Sequence, residues 1–282
     1  MKINANEKYI EVEDYSISHE KFQLYLDPDL HLLKTVPQPI FEKIGEYYKS
    51  EDYISHTDSK RNLFEKVYHI VKRKAIQNKI DLIESFSNAK GKLLDIGCGT
   101  GDFIFEANKR GWKVCGFEPN ASASSLAKEK GLSLLESTEN IDSNSLDVVT
   151  MWHVLEHVHD LDKQIRELYR LLKPGGNLII AVPNYNSYDA KYYGKYWAAY
   201  DVPRHLWHFS QKSIPLLFEP YLFSHIETCP MLFDSFYVSL LSEKYKTGKQ
   251  NWLKAFWIGL KSNIEARQNL EYSSLIYILK KV

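Results

Sequence analysis

The stretch Leu93-Leu-Asp95-Ile-Gly97-Cys98-Gly99-Thr100-Gly101-Asp102 carries the densest structural signal in the chain. Residues 93–96 read as a strand and the helical period resumes at Phe103, so the glycines occupy a strand-to-helix turn. Glycine there permits a tight turn and lets backbone approach a ligand with no Cβ between them, while free amides at a helix start favour an anionic group. A dinucleotide fingerprint would need glycine at position 102, where Asp102 stands, and no Walker lysine follows. The alternation continues past this loop. A strand at 113–118, a helix at 121–130, a short strand at 132–135, a buried strand at 147–151, a helix at 155–172 and a strand at 177–182 are predicted. Strands separated by helices need crossovers, which makes the sheet parallel and covers both its faces. The expected fold class is α/β: a doubly wound, mostly parallel, Rossmann-like sheet.

Ahead of the loop, apolar residues at 63/64, 67/68, 70/71, 76, 80 and 83 keep a helical period, with Lys66, Arg73, Lys74 and Lys79 mostly opposite. Residues 9–35 read as short extended pieces, broken by Asp27-Pro28-Asp29 and ended by Pro37-Gln38-Pro39. Four parts are expected: an N-terminal extension with a lid segment (1–58), the α/β core with its leading helix (59–184), an aromatic segment (185–215), and the end of the sheet (216–282) interrupted by a helical insertion at 234–268.

Composition bounds what this fold can do. In 282 residues, 36 Lys+Arg balance 36 Asp+Glu, which argues against a dedicated nucleic-acid binder. At 44% hydrophobic residues the chain can bury a full core. Cys98, Cys115 and Cys229 lack the spacing of a disulfide framework or a zinc cluster, which fits a reducing, cytoplasmic compartment. Residues 1–15 carry no apolar signal region and no run is long enough to span a bilayer, so a soluble protein is expected.

The acids near the loop narrow the ligand. Asp95 lies inside the motif and Glu118 at the end of the next strand, where a carboxylate can accept hydrogen bonds from both hydroxyls of a ribose. Two acids would repel a pyrophosphate but tolerate a zwitterionic amino acid or a sulfonium. Asp95-x-Gly97-x-Gly99-x-Gly101, Glu118-Pro119, the strand Leu146-Asp147-Val148-Val149 followed by Trp152-His153-Val-Leu-Glu156-His157, and Leu172-Lys173-Pro174-Gly175-Gly176 together resemble the successive motifs of class I S-adenosylmethionine-dependent methyltransferases. The resemblance is to the branch with ubiquinone-type O-methyltransferases and bacterial enzymes of surface-glycan or lipid pathways, and covers roughly residues 60–215.

That resemblance implies S-adenosyl-L-methionine as cofactor and S-adenosyl-L-homocysteine as product. It implies that the loop Gly97, Cys98, Gly99, Gly101, with Asp95, packs on the methionyl part and that Glu118 and Pro119 take the ribose. Ser137 and Thr138 would sit at the adenine edge, Trp152 and His153 at the methionine end. Family members usually carry an acid where Ser137 stands. The resemblance also implies that strands near 225–231 and 273–279 pair antiparallel at the sheet edge, making the last strand antiparallel. Relatives often carry a cysteine-based zinc ribbon near the N-terminus; residues 1–40 contain no cysteine. The segment from Tyr47-Tyr48 to Tyr53-Ile-Ser55-His56 would lie over the cofactor.

His153-x-x-Glu156-His157 admits three readings. On a helix, residues i, i+3 and i+4 share a face, as in an inverted zinc-peptidase motif. Ubiquinone-type relatives hold magnesium with an acid followed by Glu-His, but His153 replaces the first acid and imidazole suits magnesium poorly, so no metal is expected to be required. In the plainest reading Glu156 and His157 orient the helix and loop.

Residues 185–210 gather aromatic rings with Arg204, His205 and His208, the composition of a small-molecule pocket. His205 or His208 can serve as base, Arg204 can anchor an anionic group, Tyr192 and Trp197 can wall the substrate, and His157 is a further catalytic candidate. In the relatives, a Pro-Arg-His-Leu-x-His-Phe-Ser pattern lies by the active site. The leading expectation is methyl transfer to a small molecule such as a sugar, lipid-linked or quinone-like intermediate, in a cytoplasmic protein without nucleic-acid or integral membrane contact, with a homodimer as the oligomer considered. A non-enzymatic adenosyl-ligand binder is the rival. The stripe Trp252, Leu253, Phe256, Trp257, Leu260, Ile264 is expected to dock on the core, with a membrane-surface helix or dimer contact as alternatives.

Overall fold

The computed structural model describes residues 2–48 and 63–282, with side chains from residue 70 in the second part. Two sheets organise it. The N-terminal extension is an antiparallel meander of β1 (Glu7–Glu13), β2 (Lys21–Asp27) and β3 (Leu32–Val36). The helix α1 (Leu63–Ser85) leads into the core. There follow β4 (Lys92–Ile96), α2 (Asp102–Lys109), β5 (Lys113–Phe117), α3 (Ala121–Glu129), β6 (Leu134–Leu135), β7 (Leu146–Trp152), α4 (Leu161–Leu171) and β8 (Leu172–Pro183). The aromatic segment contains α5 (Tyr188–Tyr193) and β9 (Trp207–His208), and α6 (Ser213–Phe218) leads to β10 (Phe223–Pro230). The insertion is a helix pair, α7 (Asp234–Thr247) and α8 (Trp252–Asn269), before β11 (Ser274–Lys281).

The large sheet has the order β10-β11-β8-β7-β4-β5-β6. Pairs from β6 to β8 are parallel, and β11 runs antiparallel to both β8 and β10. Alternation along the strands builds two core layers. Leu94, Val149 and Met151 face α4, whereas Leu93, Val148 and Ile179 face α1 and α2. On α4, Leu161, Ile165, Leu168 and Leu171 recur at helical spacing and are all buried. At ~1.5–3 kcal/mol per side chain, this stripe contributes roughly 6–12 kcal/mol before chain entropy is counted.

Two expected boundaries move. The helix predicted over 155–172 begins at Leu161, because Asp160 caps it, its Oδ1 accepting the Lys163 N–H at 3.0 Å. Residues Leu155–His157 form one 3-10 turn instead. The insertion divides where Gly248 takes φ +71° after α7 and Asn251 caps α8 by accepting the Lys254 N–H.

The meander is not free-standing. β3 pairs with β9, placing Leu33 opposite His208 and Lys34 opposite Trp207, and Thr35 Oγ1 donates to the His205 carbonyl at 2.7 Å. The aromatic segment is thereby fixed over the carboxyl ends of β7 and β8. Among the described residues no helix is long and apolar enough to cross a membrane.

Candidate active site

The glycine loop leaves β4 at its carboxyl end. Gly97, Gly99 and Gly101 hold φ of +71°, +55° and +79°, a region that a Cβ penalises. A Cβ on Gly97 would lie 2.4 Å from Val154 Cγ2, so the loop rests on the segment that leaves β7. A Cβ on Gly99 would meet nothing within 4 Å. Gly99 is therefore the point where the loop turns backbone toward open space. Its N–H donates to Glu118 Oε2 at 2.8 Å, and Glu118 Oε1 accepts the Asn120 N–H at 2.9 Å. The carboxylate stands at the mouth of the loop, with Pro119 exposed beside it.

Asp95 lies beneath the loop and accepts from Thr150 Oγ1 at 2.6 Å. Burial pushes its pKa up to about 7, with Thr150 and Lys79 opposing the shift. Cys98 is a buried free thiol packed against Gly116, raised to about 12 by burial and then by Asp95 and Glu118, so it fills space rather than reacts. Ser137 Oγ accepts the Glu139 N–H, and the Thr138 carbonyl accepts from Arg170. Both follow β6, on the β5 side of the loop.

The end of β7 forms the opposite wall. Trp152 packs edge-on against Phe103 at 5.5 Å, and the half-buried Lys79 ammonium of α1 lies 4.3 Å from its ring centroid. Among the described residues the buried Trp152 Nε1 has no hydrogen-bond partner. His153 takes φ +58° and turns its ring between two acids, Nε2 lying 2.9 Å from Asp234 and Nδ1 3.4 Å from Glu156. Burial alone would depress His153, but Asp234 and then Glu156 outweigh it and raise its pKa to about 9. This geometry corrects the zinc-peptidase reading. His153 sits in a left-handed turn and His157 in a 3-10 turn, so the motif has no shared helix face.

Glu156 is fully buried, and neither carboxylate oxygen has a hydrogen bond among the described residues. Burial would raise its pKa, yet His153, His205 and His157 hold it below the usual carboxylate value. Glu156, His157 and His205 bring ligand-type atoms within 4.8 Å of one another. His157 Nδ1 is 2.9 Å from both the Arg204 carbonyl and the Tyr48 hydroxyl, and His205 Nδ1 is 2.9 Å from the Ala199 carbonyl. Bonding to the carbonyls makes each Nδ1 the donor and leaves Nε2 as the basic nitrogen. Burial and then His205 lower the His157 pKa to about 4, which keeps it neutral at pH 7.

Several expected site residues turn elsewhere. Arg204 is 2% exposed and its guanidinium is consumed internally. It donates to Asp14, Asp201 and the Tyr47 carbonyl. It staples the meander to the aromatic segment, so the expectation that it anchors a substrate anion is overturned. Trp197 is buried and donates to Asp189 at 2.8 Å, while Tyr192 faces Lys246 and Lys254 of the insertion. Both wall the core and the insertion rather than the glycine loop. His208 lies behind His205, at 6.3 Å between ring centroids, with Nε2 3.0 Å from Thr35 Oγ1. Burial and then His205 push its pKa well down. It supports the site from the small sheet.

Lys79 and Asp234 were not singled out from the sequence as site residues. They come from the leading helix and the insertion, and only tertiary packing brings them to β7. Tyr48 reaches His157, whereas Tyr53, Ser55 and His56 lie outside the described residues.

Comparison with known proteins places this geometry. The ubiquinone biosynthesis O-methyltransferase of Hahella chejuensis is 32% identical over 119 residues, covering 38% of this chain and 50% of that protein. The curated relatives reported with it are spanned over 31% to 50% of their length. A Thermotoga maritima structure described as an S-adenosylmethionine-dependent methyltransferase, possibly a histamine N-methyltransferase, superposes with a TM-score of 0.53 at 21% identity, over 77% of this chain and 95% of that one. Geranyl diphosphate C-methyltransferase of Streptomyces coelicolor, solved with Mg2+, geranyl diphosphate and S-adenosyl-L-homocysteine, superposes with a TM-score of 0.56 at 16% identity, over 80% and 86% of the two chains. These superpositions concern the fold. The family model described as a methyltransferase domain matches residues 67–227, more than half of the chain and the whole of the loop, Glu118 and histidine constellation. This chain belongs to the methyltransferase-domain family.

Proposed function

We propose that this chain transfers a methyl group from S-adenosyl-L-methionine to a small-molecule acceptor, a sugar, lipid-linked or quinone-like intermediate, releasing S-adenosyl-L-homocysteine. The observation that carries the reading is the glycine cradle. Gly99 turns its backbone into open space beside the Glu118 carboxylate, at the carboxyl ends of the parallel strands where open α/β sheets bind ligands. The buried, unpartnered Trp152 Nε1 at the opposite wall also fits a ligand seated there.

In this reading Glu118 and Pro119 hold the ribose, Ser137 and Thr138 flank the adenine, and the loop with Trp152 and His153 takes the methionyl end. The cofactor supplies an electrophilic methyl group on a sulfonium. Glu118, with the partly ionised Asp95 beneath the loop, gives the cleft the negative character such a cation favours. The residue that handles the proton is His205. His205 offers Nε2 to the acceptor's proton, and Glu156, held ionised, stabilises the imidazolium that results. His157 completes the wall as a neutral ring. No metal is needed for these steps.

Isothermal titration tests the central claim. The purified protein is expected to bind S-adenosyl-L-homocysteine, and Glu118→Ala to lose about 1.5–3 kcal/mol of binding, the range for hydrogen bonds to a charged acceptor. Absence of binding by the folded wild type would sink the proposal.

A further inference from the structure

The insertion packs in the reverse of the sense its periodicity suggests. The stripe of large apolar residues on α8 was expected to dock on the core, but its buried side is made of Ala255, Gly259, Ser262 and Ala266. Gly259 lies so close to α7 that a Cβ there would come 2.9 Å from Phe236 Cδ1. Ser262 Oγ donates to the buried Asp189 at 2.7 Å, which pins the helix in this orientation. The large residues consequently point outward. Leu253, Trp257 and Ile264, four and seven residues apart on one face, are 78%, 64% and 51% exposed. Phe256, stacked on Phe236 at 5.5 Å, continues the patch toward α7.

The helix pair carries a basic excess. Residues 234–269 contain six basic and three acidic side chains. Asp234 is turned inward onto His153, and Glu243 is buried against Lys254. Glu265 alone of the three acids faces solvent, near Lys261. Of the six basic residues, Lys254 is paired with Glu243, Lys261 with Glu265, and Lys246 lies over the Tyr192 ring, while Lys249 at the tip between the helices and Arg267 after the stripe are exposed.

We propose that this face is a docking surface for an anionic lipid bilayer, with Leu253, Trp257 and Ile264 entering the headgroup boundary and the basic residues meeting lipid phosphates. Tryptophan on the apolar side with lysine at its flanks is the chemistry of an interfacial helix. A second copy of the chain fits less well, since two-fold pairing would bring each basic rim against its twin. Docking also sets the active site at the membrane, because α7 begins with Asp234, the partner of His153. Only that last consequence, an acceptor drawn from the lipid phase, rests on the function proposed above.

The test is flotation of the full chain with vesicles of phosphatidylglycerol and phosphatidylcholine against phosphatidylcholine alone. The wild type is expected to float with the anionic vesicles and to bind neutral ones roughly tenfold less, with high salt reducing the anionic binding. Trp257→Glu combined with Ile264→Glu is expected to abolish flotation with an unchanged melting temperature and unchanged S-adenosyl-L-homocysteine affinity. No flotation, or equal flotation on both vesicle types, overturns the proposal. So does a wild-type dimer that the double variant converts to monomer without any vesicle binding. Flotation without cofactor binding would instead overturn the methyl-transfer reading and leave the docking surface standing.

Discussion

Alanine at each of the three loop glycines separates the turn from the cradle. All three hold φ between +55° and +79°, where a Cβ costs ~1–2 kcal/mol. That backbone term is common, and the surroundings differ. A Cβ on Gly97 would lie 2.4 Å from Val154 Cγ2 and 3.3 Å from Cγ1. A β-branched side chain has little rotamer freedom, so overpacking adds ~1–3 kcal/mol. Gly97→Ala should therefore lose about 2–5 kcal/mol in all. On Gly101 a Cβ would lie 2.4 Å from Leu132 Cδ1, a tip that can swing aside, and 3.0 Å from Ala127 Cβ, which cannot, so the loss falls between those at Gly97 and Gly99. Gly99→Ala bears the backbone cost alone. Urea denaturation gives the stabilities, and titration with S-adenosyl-L-homocysteine gives the affinities. Gly99→Ala should stay within about 2 kcal/mol of wild type, yet bind the ligand at least about tenfold more weakly, because its methyl occupies the space the ligand needs. Wild-type affinity in Gly99→Ala refutes the cradle. Equal destabilisation at 97 and 99 refutes the steric argument.

Other outcomes follow from charge. Arg204→Met leaves Asp14 and Asp201 without their shared cation, and chemical denaturation should show a loss of about 3–5 kcal/mol; a loss below about 1 would remove the staple. His153, raised from its ordinary 6.5 to about 9, contributes stability that is complete below pH 6.5 and disappears as pH climbs through 9. His157, lowered from 6.5 to about 4, contributes in the opposite sense: in full above 6.5, lost as pH falls through 4. Melting temperatures across this range should decline on both sides, and an alkaline limb unaltered in Asp234→Asn would contradict the first assignment. Treatment with a chelator should leave turnover intact; turnover lost and then restored by one divalent cation would make Glu156, His157 and His205 its ligands.

The α/β core was legible in the sequence because its signals are local. Leu93 and Leu94, like Val148 and Val149, face opposite layers of one sheet, and a period of two records that directly. The glycine loop and Glu118 were legible for the same reason: a strand-to-helix turn and a strand end are short-range features. The helix at 155–172 misled, since leucine spacing continues upstream of Asp160 although the capping carboxylate stops the helix there. Arg204 misled because a guanidinium has the same appearance in sequence whether it meets a ligand or Asp14, 190 residues away. On α8, amphipathic spacing identified the stripe, but the choice of which face goes inward was made by the small residues that fit against Phe236.

The pairing of β3 with β9 has a consequence for biosynthesis. Thr35 waits for His205 across 170 residues of chain. At roughly 5–20 residues per second, the meander leaves the ribosome about 9–34 s before the strand that completes its sheet. During that interval β3 presents an open edge, and Leu32 and Leu33, fully buried in the finished protein, have yet to find their cover. A nascent chain stalled ahead of residue 207 should accordingly be the form most in need of a chaperone.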